Sequence, residues 1–283
     1  MTADPSRAVA DLAPVSLAEV EAIALLHTRF DRKYVLGPDL VVELIGHLTD
    51  RSAVLEIDGR RTFAYRSRYF DTDALDSYRG AATGRRGRFK VRTRSYVEDG
   101  SCALEVKTRG SRGTTVKVRL PHDPELADEV GDEGGAFVDH HLAASVHRHL
   151  RPVLTTEYRR TTLVDATDRS RATIDQALVC TGHTGEHHRL VGRVVVETKS
   201  TGAATALDRL LWARGERPVR ISKFGVGMAL DDPALPANRW NRVLREHFGW
   251  LPDRRARPHD RSGAATIRTG AFPLELARLV HTS

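Results

Sequence analysis

The chain has 283 residues, and its 44 Lys and Arg outnumber its 37 Asp and Glu, giving a pI of about 9.7. This length can bury a substantial core, and the excess of positive charge favours an anionic partner such as a nucleotide, polyphosphate, nucleic acid or lipid surface. The two cysteines lack the spacing of a zinc site or redox pair, and no apolar run has the length of a signal-peptide core or membrane span, so we expect a cytoplasmic protein without an integral membrane segment.

Helical signals come first along the chain. Residues 1–15 show no clear periodicity, and we expect a flexible N-terminus there. The sequence Ser16-Leu-Ala-Glu19 has the form of a capping box and predicts the start of a short helix. A proline in the first turn and an apolar stripe then predict a second helix over residues 38–48.

From residue 62 onward the apolar period changes to two, which predicts strands. The predicted strands are residues 62–71, 87–97, 102–108, 114–120, 154–164, 171–179 and 193–198. Short polar turns between them favour an antiparallel sheet or closed barrel over a parallel sheet. Helical stretches at 124–150 and 203–214 make the expected fold class α+β, with helices flanking the sheet.

The C-terminal part has a different composition. We expect the main domain to cover residues 16–232 and a C-terminal helix to lie within residues 233–250. The stretch that follows is rich in Pro and Arg, so residues 251–283 are predicted to be a disordered linker and tail.

Positive charge alternates along the predicted strands. Successive strand residues point to opposite faces, so Arg88, Lys90, Arg92 and Arg94 share one face, opposite a largely apolar one. A single strand of this kind would also fit a solvated outer face. The pattern returns, however, in other strands, with Lys107, Lys117, Arg160, Arg171 and Lys199. If these faces converge, their repulsion calls for a polyanion, and triphosphate or a longer phosphate chain fits best.

Two carboxylates lie among these cations. Glu105 and Glu197 each alternate with lysine on a predicted strand. Carboxylate oxygens suit Mg²⁺ or Mn²⁺, which bridges phosphates, so both are candidate metal ligands. A salt bridge to a neighbouring lysine is the alternative for each of them.

Seven short motifs, in order, carry a resemblance to a known family. They are Arg29-Phe-Asp-Arg-Lys-Tyr34, Tyr69-Phe-Asp-Thr72, Lys90-Val-Arg-Thr-Arg-Ser-Tyr96, Leu104-Glu-Val-Lys107, Glu157-Tyr-Arg-Arg160, Val196-Glu-Thr-Lys199 and Ile221-Ser-Lys-Phe224. Over residues 27–230 the chain resembles the catalytic, polyphosphate polymerase domain of the vacuolar transporter chaperone family, among the CYTH-like triphosphate tunnel metalloenzymes. The resemblance implies an antiparallel barrel enclosing a basic tunnel, in which a nucleoside triphosphate and a divalent metal lengthen polyphosphate.

The resemblance also assigns roles to residues. It implies that the catalytic phosphate ligands in the tunnel are Lys33, Arg92, Arg94, Lys107, Lys117, Arg160, Arg171 and Lys223, and that Glu197 holds the metal. Arg220 stands where the family often has lysine. We further expect Lys90, Lys199 and Arg220 to bind phosphate, Glu105 to be a second metal ligand, and Arg88 and Lys90 to guide phosphate at the tunnel mouth.

Three functions share such a tunnel: a polyphosphate polymerase, a hydrolase of inorganic or nucleoside triphosphate, and a polyphosphate-binding module without catalysis. The hydrolytic branch begins with Glu-x-Glu-x-Lys, whereas this chain has Arg29-Phe-Asp-Arg-Lys33, which lacks the first carboxylate and favours the polymerase. Asp31 is still available as a metal partner, and Glu197 argues against the binding module. Because aromatics are only 6% of the chain and are not interleaved with the basic rows, we expect no nucleic-acid partner.

Overall fold

A computed structural model describes residues 3–24, 30–109 and 115–251 as an α+β fold. The strands are β1 Ala13–Val15, β2 Phe30–Leu36, β3 Ser52–Leu55, β4 Thr62–Thr72, β5 Phe89–Tyr96, β6 Cys102–Arg109, β7 Thr115–His122, β8 Leu150–Asp165, β9 Ser170–Thr181, β10 His187–Arg189 and β11 Val194–Ser200. The α-helices are α1 Pro5–Ala8, α2 Leu17–Ala24, α3 Pro38–Gly46, α4 Asp76–Thr83, α5 Gly131–Leu142, α6 Ala206–Ala213, α7 Lys223–Asp231 and α8 Asn241–Phe248. None of the described helices is long and apolar enough to cross a membrane.

The strands form one sheet whose main path is β2-β11-β9-β8-β4-β5-β6-β7. Every pair along that path is antiparallel, and among the described side pairs only that of β1 with β3 is parallel. The predicted antiparallel sheet with flanking helices is thereby confirmed. Strands β2 and β7 end the path, and within the described ranges no strand pairs with the outer edge of either. Over the described residues the sheet therefore curls without closing into a hydrogen-bonded barrel.

The outer face of the sheet is apolar and covered by helices. On β2, β9 and β11, Tyr34, Ile174 and Val196 are buried together with residues of α1, α3 and α6. On β5 and β6 the outward side chains form a second buried cluster with α5. Because strand side chains alternate, covering this face leaves the other face, with its charged residues, on the inside of the curl.

Helix α7 lies on the inner side of the sheet at one end. Phe224 stacks on Tyr69 with ring centres 5.1 Å apart. Two glycines of α7 let the backbone approach closely, because a Cβ on Gly225 would collide with Trp240 and one on Gly227 with Leu154. The pair of glycines in this segment thus allows α7 to pack closely at this end of the sheet.

Other predicted elements have mixed outcomes. The capping box is confirmed, since Ser16 N donates to Glu19 Oε2 at 2.8 Å and begins α2. The helical stretch expected over 124–150 is confirmed, although it is not continuous. It divides into α5 and two short 3₁₀ turns, Pro124–Leu126 and His147–His149, because Ala143 adopts a left-handed conformation with φ of 49° that ends α5.

Helices α4 and α7 and strands β2 and β3 were not anticipated. Residues 1–15 were expected to be flexible. The structure places α1 and β1 in this segment, and Val9 between them is fully buried. The helix expected within 233–250 is α8. Residues 252–283 of the predicted disordered tail lie outside the described residues.

Candidate phosphate-binding site

One row of lysines crosses three strands on the inner face of the sheet. Lys90 of β5 is directly opposite Lys107 of β6, which in turn is opposite Lys117 of β7. Residues in direct register share a face, and like charges in that position repel one another. The row therefore has an unfavourable charge arrangement that a bound polyanion would relieve.

A second group of charged residues lies at the other end of the strand order. Lys33 of β2 is opposite Glu197 of β11, and Asp31 is opposite Lys199. Lys199 is also in register with Arg171 of β9. The register thus brings these predicted ligands together on the same inner face.

The curl of the sheet turns these two groups toward each other. Although β2 and β6 are separated by five strands of the path, enclosure by the tunnel walls and repulsion from Lys33 together lower the pKa of Lys107 to about 8. Burial and repulsion from Lys33 likewise lower the pKa of Lys90 well below its usual value. Charges that affect one another in this way line a common space, which we call the tunnel.

Glu105 is held by three cations of the tunnel wall. Its Oε2 accepts from Arg92 Nη2 at 2.6 Å, its Oε1 lies 2.5 Å from Lys117 Nζ, and Arg94 Nη1 is 4.0 Å from Oε1. Burial raises the pKa of Glu105, but these cations outweigh burial and hold it well below the ordinary range. Glu105 is therefore an ionised partner that spaces the cations, which matches the salt-bridge alternative.

Glu197 and Asp31 lie on either side of one ammonium group. Lys199 Nζ is 2.5 Å from Glu197 Oε1 and 3.3 Å from Asp31 Oδ2, and Lys33 Nζ is 3.8 Å from Glu197. Burial raises the pKa of Glu197, yet attraction to Lys33 and Lys199 prevails and lowers it well below the usual value. Glu197 and Asp31 thus both lie close to the ammonium group of Lys199.

A further carboxylate, Asp175 of β9, was not among the predicted site residues. It accepts from Arg160 Nε at 2.6 Å and Nη2 at 2.8 Å, and it also pairs with Lys223 of α7. Burial raises its pKa, but Arg160 and Lys223 lower it to about 2. Asp175 therefore fixes two predicted phosphate ligands. Its signal in the sequence was its place on the same face of β9 as Arg171.

Tyrosines separate the cations on the inner face, and they too were missed. Arg92 Nη1 donates to Tyr69 Oη at 2.9 Å, and Arg94 Nη2 donates to Tyr158 Oη at 3.1 Å. Although burial raises the pKa of Tyr158, nearby cations lower it below its usual value, which reports a strongly positive field. Alternation along β4 and β8 would have placed these rings on the tunnel side.

Two predicted phosphate ligands have distinct surroundings. Lys90 Nζ donates to Ser222 Oγ at 2.9 Å, next to α7. Arg220 is exposed in the segment that precedes α7, and no contact between its side chain and the other predicted ligands is found in the described part of the chain. The geometry brings together Lys90 and the eight tunnel cations named from the resemblance, but not Arg220.

The carboxylates around Lys199 offer oxygen donors of the type that Mg²⁺ and Mn²⁺ prefer. Among the described residues no three His, Cys, Asp or Glu side chains are grouped as a complete metal cage. Magnesium commonly takes only one or two protein carboxylates and completes its shell with water and substrate phosphates. Glu197 with Asp31 fits that requirement, and it is a better donor pair than Glu105, which has three cationic partners.

Comparison with known proteins gives one family match. A family model described as the VTC domain matches residues 28–230. A search of curated proteins finds no match to this chain.

Similar solved structures include three with low sequence identity. A candidate adenylate cyclase from Bacillus halodurans is 14% identical with a TM-score of 0.46, covering 69% of this chain and 94% of its own. HpAC1 from Hippeastrum, a candidate adenylyl cyclase reported to have a dominant triphosphatase activity, is 16% identical with a TM-score of 0.49. The match covers 71% of this chain and 96% of HpAC1. The RNA triphosphatase Pct1 of S. pombe is 13% identical with a TM-score of 0.21. The match covers 78% of this chain and 76% of Pct1.

Proposed function

This chain belongs to the VTC-domain family, and we propose that it is a metal-dependent phosphotransferase that adds the γ-phosphate of ATP or another nucleoside triphosphate to a growing polyphosphate chain. The observation that carries this proposal is the excess of cations over carboxylates on the inner face of the curled sheet. In particular, the row of Lys90, Lys107 and Lys117 has like charges in direct register. A linear polyphosphate has the repeated negative charge that such a row requires.

The tunnel residues act by positioning and by neutralising charge. A terminal phosphate oxygen of the chain attacks the γ-phosphorus of ATP, a new P–O–P bond forms, and the bond to the β-phosphate oxygen breaks with its electrons leaving on ADP. Phosphoryl transfer of this kind needs no protein nucleophile. Arg92, Arg94 and Arg160, fixed by carboxylates and tyrosines, hold the transferring group in line and spread its charge.

Glu197 and Asp31 would hold the Mn²⁺ or Mg²⁺ ion, with Lys199 moving from between them toward phosphate. When bound, the ion neutralises phosphate charge and orients the leaving and attacking oxygens. Lys33, in register with Glu197, remains beside the carboxylate as a phosphate ligand.

Incubation of the purified protein with ATP, Mn²⁺ and a short polyphosphate primer tests the proposal. We expect ADP to accumulate together with lengthened chains, resolved by gel electrophoresis, and no chain growth without metal. Orthophosphate without chain growth would instead make the protein a triphosphate hydrolase. Tight polyphosphate binding with no turnover at any metal concentration would make it a binding module.

A further inference from the structure

Three arginines form a group beyond the row of tunnel lysines. Arg88 immediately precedes β5, Arg109 ends β6, and Arg239 precedes α8. We call Arg88, Arg109 and Arg239 the outer arginine cluster. Arg239 lies outside residues 28–230, the part of the chain that the family model matches.

Two members continue the tunnel row. Arg109 N donates to Arg88 O at 3.1 Å, and Gly87 N donates to Arg109 O at 3.2 Å, so Arg88 and Arg109 extend the pairing of β5 with β6. They are two residues beyond Lys90 and Lys107, which are themselves in register. Because side chains alternate, both arginines share the face of those lysines.

The third member comes from a distant part of the sequence. Arg239 Nη1 lies so close to Gly84 that a Cβ at that position would collide with it, and Gly84 has a φ of 74° at the end of α4. Arg88 Nη1 donates to Gly84 O at 3.3 Å and to Arg85 O at 2.8 Å. The guanidinium groups of Arg88 and Arg239 therefore converge on the same glycine.

The cluster is not neutralised by the described residues. Within the described ranges none of Arg88, Arg109 and Arg239 forms an ion pair with a carboxylate. Burial together with repulsion from Arg109 and Arg239 lowers the pKa of Arg88. By contrast, the cations deeper in the tunnel share Glu105, Glu197 and Asp175. Two converging guanidinium groups with a third arginine in the neighbouring strand position, and no carboxylate paired with any of them among the described residues, form a site for a multiply charged anion.

We propose that the outer arginine cluster is an extension subsite, which binds the part of a linear polyphosphate that continues past the phosphates held by the tunnel. This inference rests on the proposed function, in that it takes the tunnel to bind a phosphate chain. It adds that this protein prefers chains longer than triphosphate, and it assigns that preference to the Arg88–Arg109 pair and to Arg239 of the C-terminal segment.

The test compares two triple variants with the same change in net charge. The first replaces Arg88, Arg109 and Arg239 by Gln. The matched control replaces by Gln three arginines of the outer helix layer, Arg7, Arg209 and Arg214, whose ion pairs lie on the surface. Affinity for tripolyphosphate and for long-chain polyphosphate is measured by calorimetry at several salt concentrations, without nucleotide or metal.

We expect the cluster variant to lose about tenfold or more in affinity for long chains, and its log–log salt slope to fall by up to about one per arginine. Tripolyphosphate affinity should change by less than about twofold, and the control variant should match the wild type for both ligands. An equal loss with the control variant would show a general charge effect and overturn the proposal. An equal loss of tripolyphosphate affinity would also overturn it, because the arginines would then belong to the triphosphate site.

Two further measurements keep the test decisive. If the melting temperature of the triple variant is well below that of the wild type, the single variant Arg109→Gln is used in its place. The Arg109 side chain is exposed and has no described hydrogen bond, so its replacement should not affect folding. Wild-type protein that binds long chains no more tightly than tripolyphosphate overturns the proposal outright. Because no turnover is measured, failure of chain synthesis from ATP leaves this result intact, and the two proposals fail separately.

Discussion

Adjacent residues of β2 show how differently the two faces of the sheet hold a positive charge. Arg32 points outward, where its Nη1 lies 3.3 Å from Asp208 Oδ2 in the outer helix layer. Lys33 points into the tunnel, and its nearest described carboxylate, Glu197, is 3.8 Å away and already 2.5 Å from Lys199. The outward charge of Arg32 is thus matched by a buried carboxylate, and this pair fastens α6 to the sheet. Inward charges share too few carboxylates and keep their capacity for a ligand.

The largest expected effect of the inner face comes from Glu197→Gln. The amide is a poorer donor to a divalent ion than a carboxylate, so metal-dependent turnover should fall by about 100-fold or more. ADP release measured across a Mn²⁺ titration checks this, with thermal melting to confirm folding. A variant that kept full activity throughout the titration would remove Glu197 from the metal site.

Removal of a buried carboxylate on the outer face should instead lower the stability of the protein. Asp208 is fully buried and accepts hydrogen bonds from Tyr34 Oη at 2.7 Å and Thr198 Oγ1 at 2.7 Å, besides pairing with Arg32. Asp208→Ala leaves these groups unpaired, and we expect the free energy of unfolding to fall by about 3 kcal/mol. Urea denaturation measures this loss. Loss of tripolyphosphate affinity at unchanged stability would contradict the division between the faces.

A change of pH should act on the inner face more than on the outer face. Two inner lysines should lose their charge at a lower pH than an ordinary lysine does. Loss of hydration between the tunnel walls is the main cause that lowers the pKa of Lys107 and of Lys117 to about 8. Tripolyphosphate binds the charged forms, so its affinity should fall roughly tenfold as pH rises from about 7 to 9. The Lys107→Arg Lys117→Arg variant should keep its affinity over this interval, because arginine stays charged. An identical decline in that variant would assign the titration to other groups.

The stability of the free protein should change in the opposite direction. Between the lowered pKa of about 8 and the ordinary lysine value of 10.5, the unfolded chain binds more protons than the folded chain. The contribution of these lysines to the free energy of unfolding therefore rises with pH across this window. Calorimetric melting of wild type and of the double arginine variant, compared at matched pH values, isolates that contribution.

The smallest expected effects come from two helix caps, one on each face. At the start of α7, Ser222 Oγ accepts a hydrogen bond from Gly225 N at 3.2 Å and a second one from Lys90 Nζ at 2.9 Å. Thr205 Oγ1 accepts from Asp208 N at 3.0 Å at the start of α6. Replacement of either by Ala should cost about 1 kcal/mol of stability. Only Ser222→Ala should also change phosphate affinity, by about twofold, and equal affinity in both variants would contradict this.

The basic faces could be predicted because their signal is local. Alternation along β5 and β6 needs no knowledge of distant residues, and it correctly placed Arg92 and Lys107 on one face. Helix α7 was missed because Gly225 and Gly227 weaken its local helical signal, while its support comes from Trp240 and from Leu154 of β8.

Strand β2 and the role of Asp175 required information from tertiary structure. Arg32 and Lys33 put charge on both faces of β2, which obscures the period of two. The outward charge is balanced by Asp208 of α6, which is distant in the sequence. Asp175 is in register with Arg160 only because the pairing of β8 with β9 shifts between Glu157 and Arg159, and Lys223 comes from another element altogether. Such pairings depend on register and on helix docking, neither of which local alternation specifies.

The outer edge of β7, with which none of the described strands pairs, adds a consequence for solubility. An unpaired strand edge is a template on which a second molecule can add a strand and start aggregation. Strand β7 has Lys117 and Arg119 pointing inward and Pro121 near its end, and charged residues of this kind together with proline discourage such pairing. The same charges that line the tunnel therefore also keep separate molecules from joining through this edge. We expect replacement of Lys117 and Arg119 by neutral residues to lower the protein concentration at which aggregation begins.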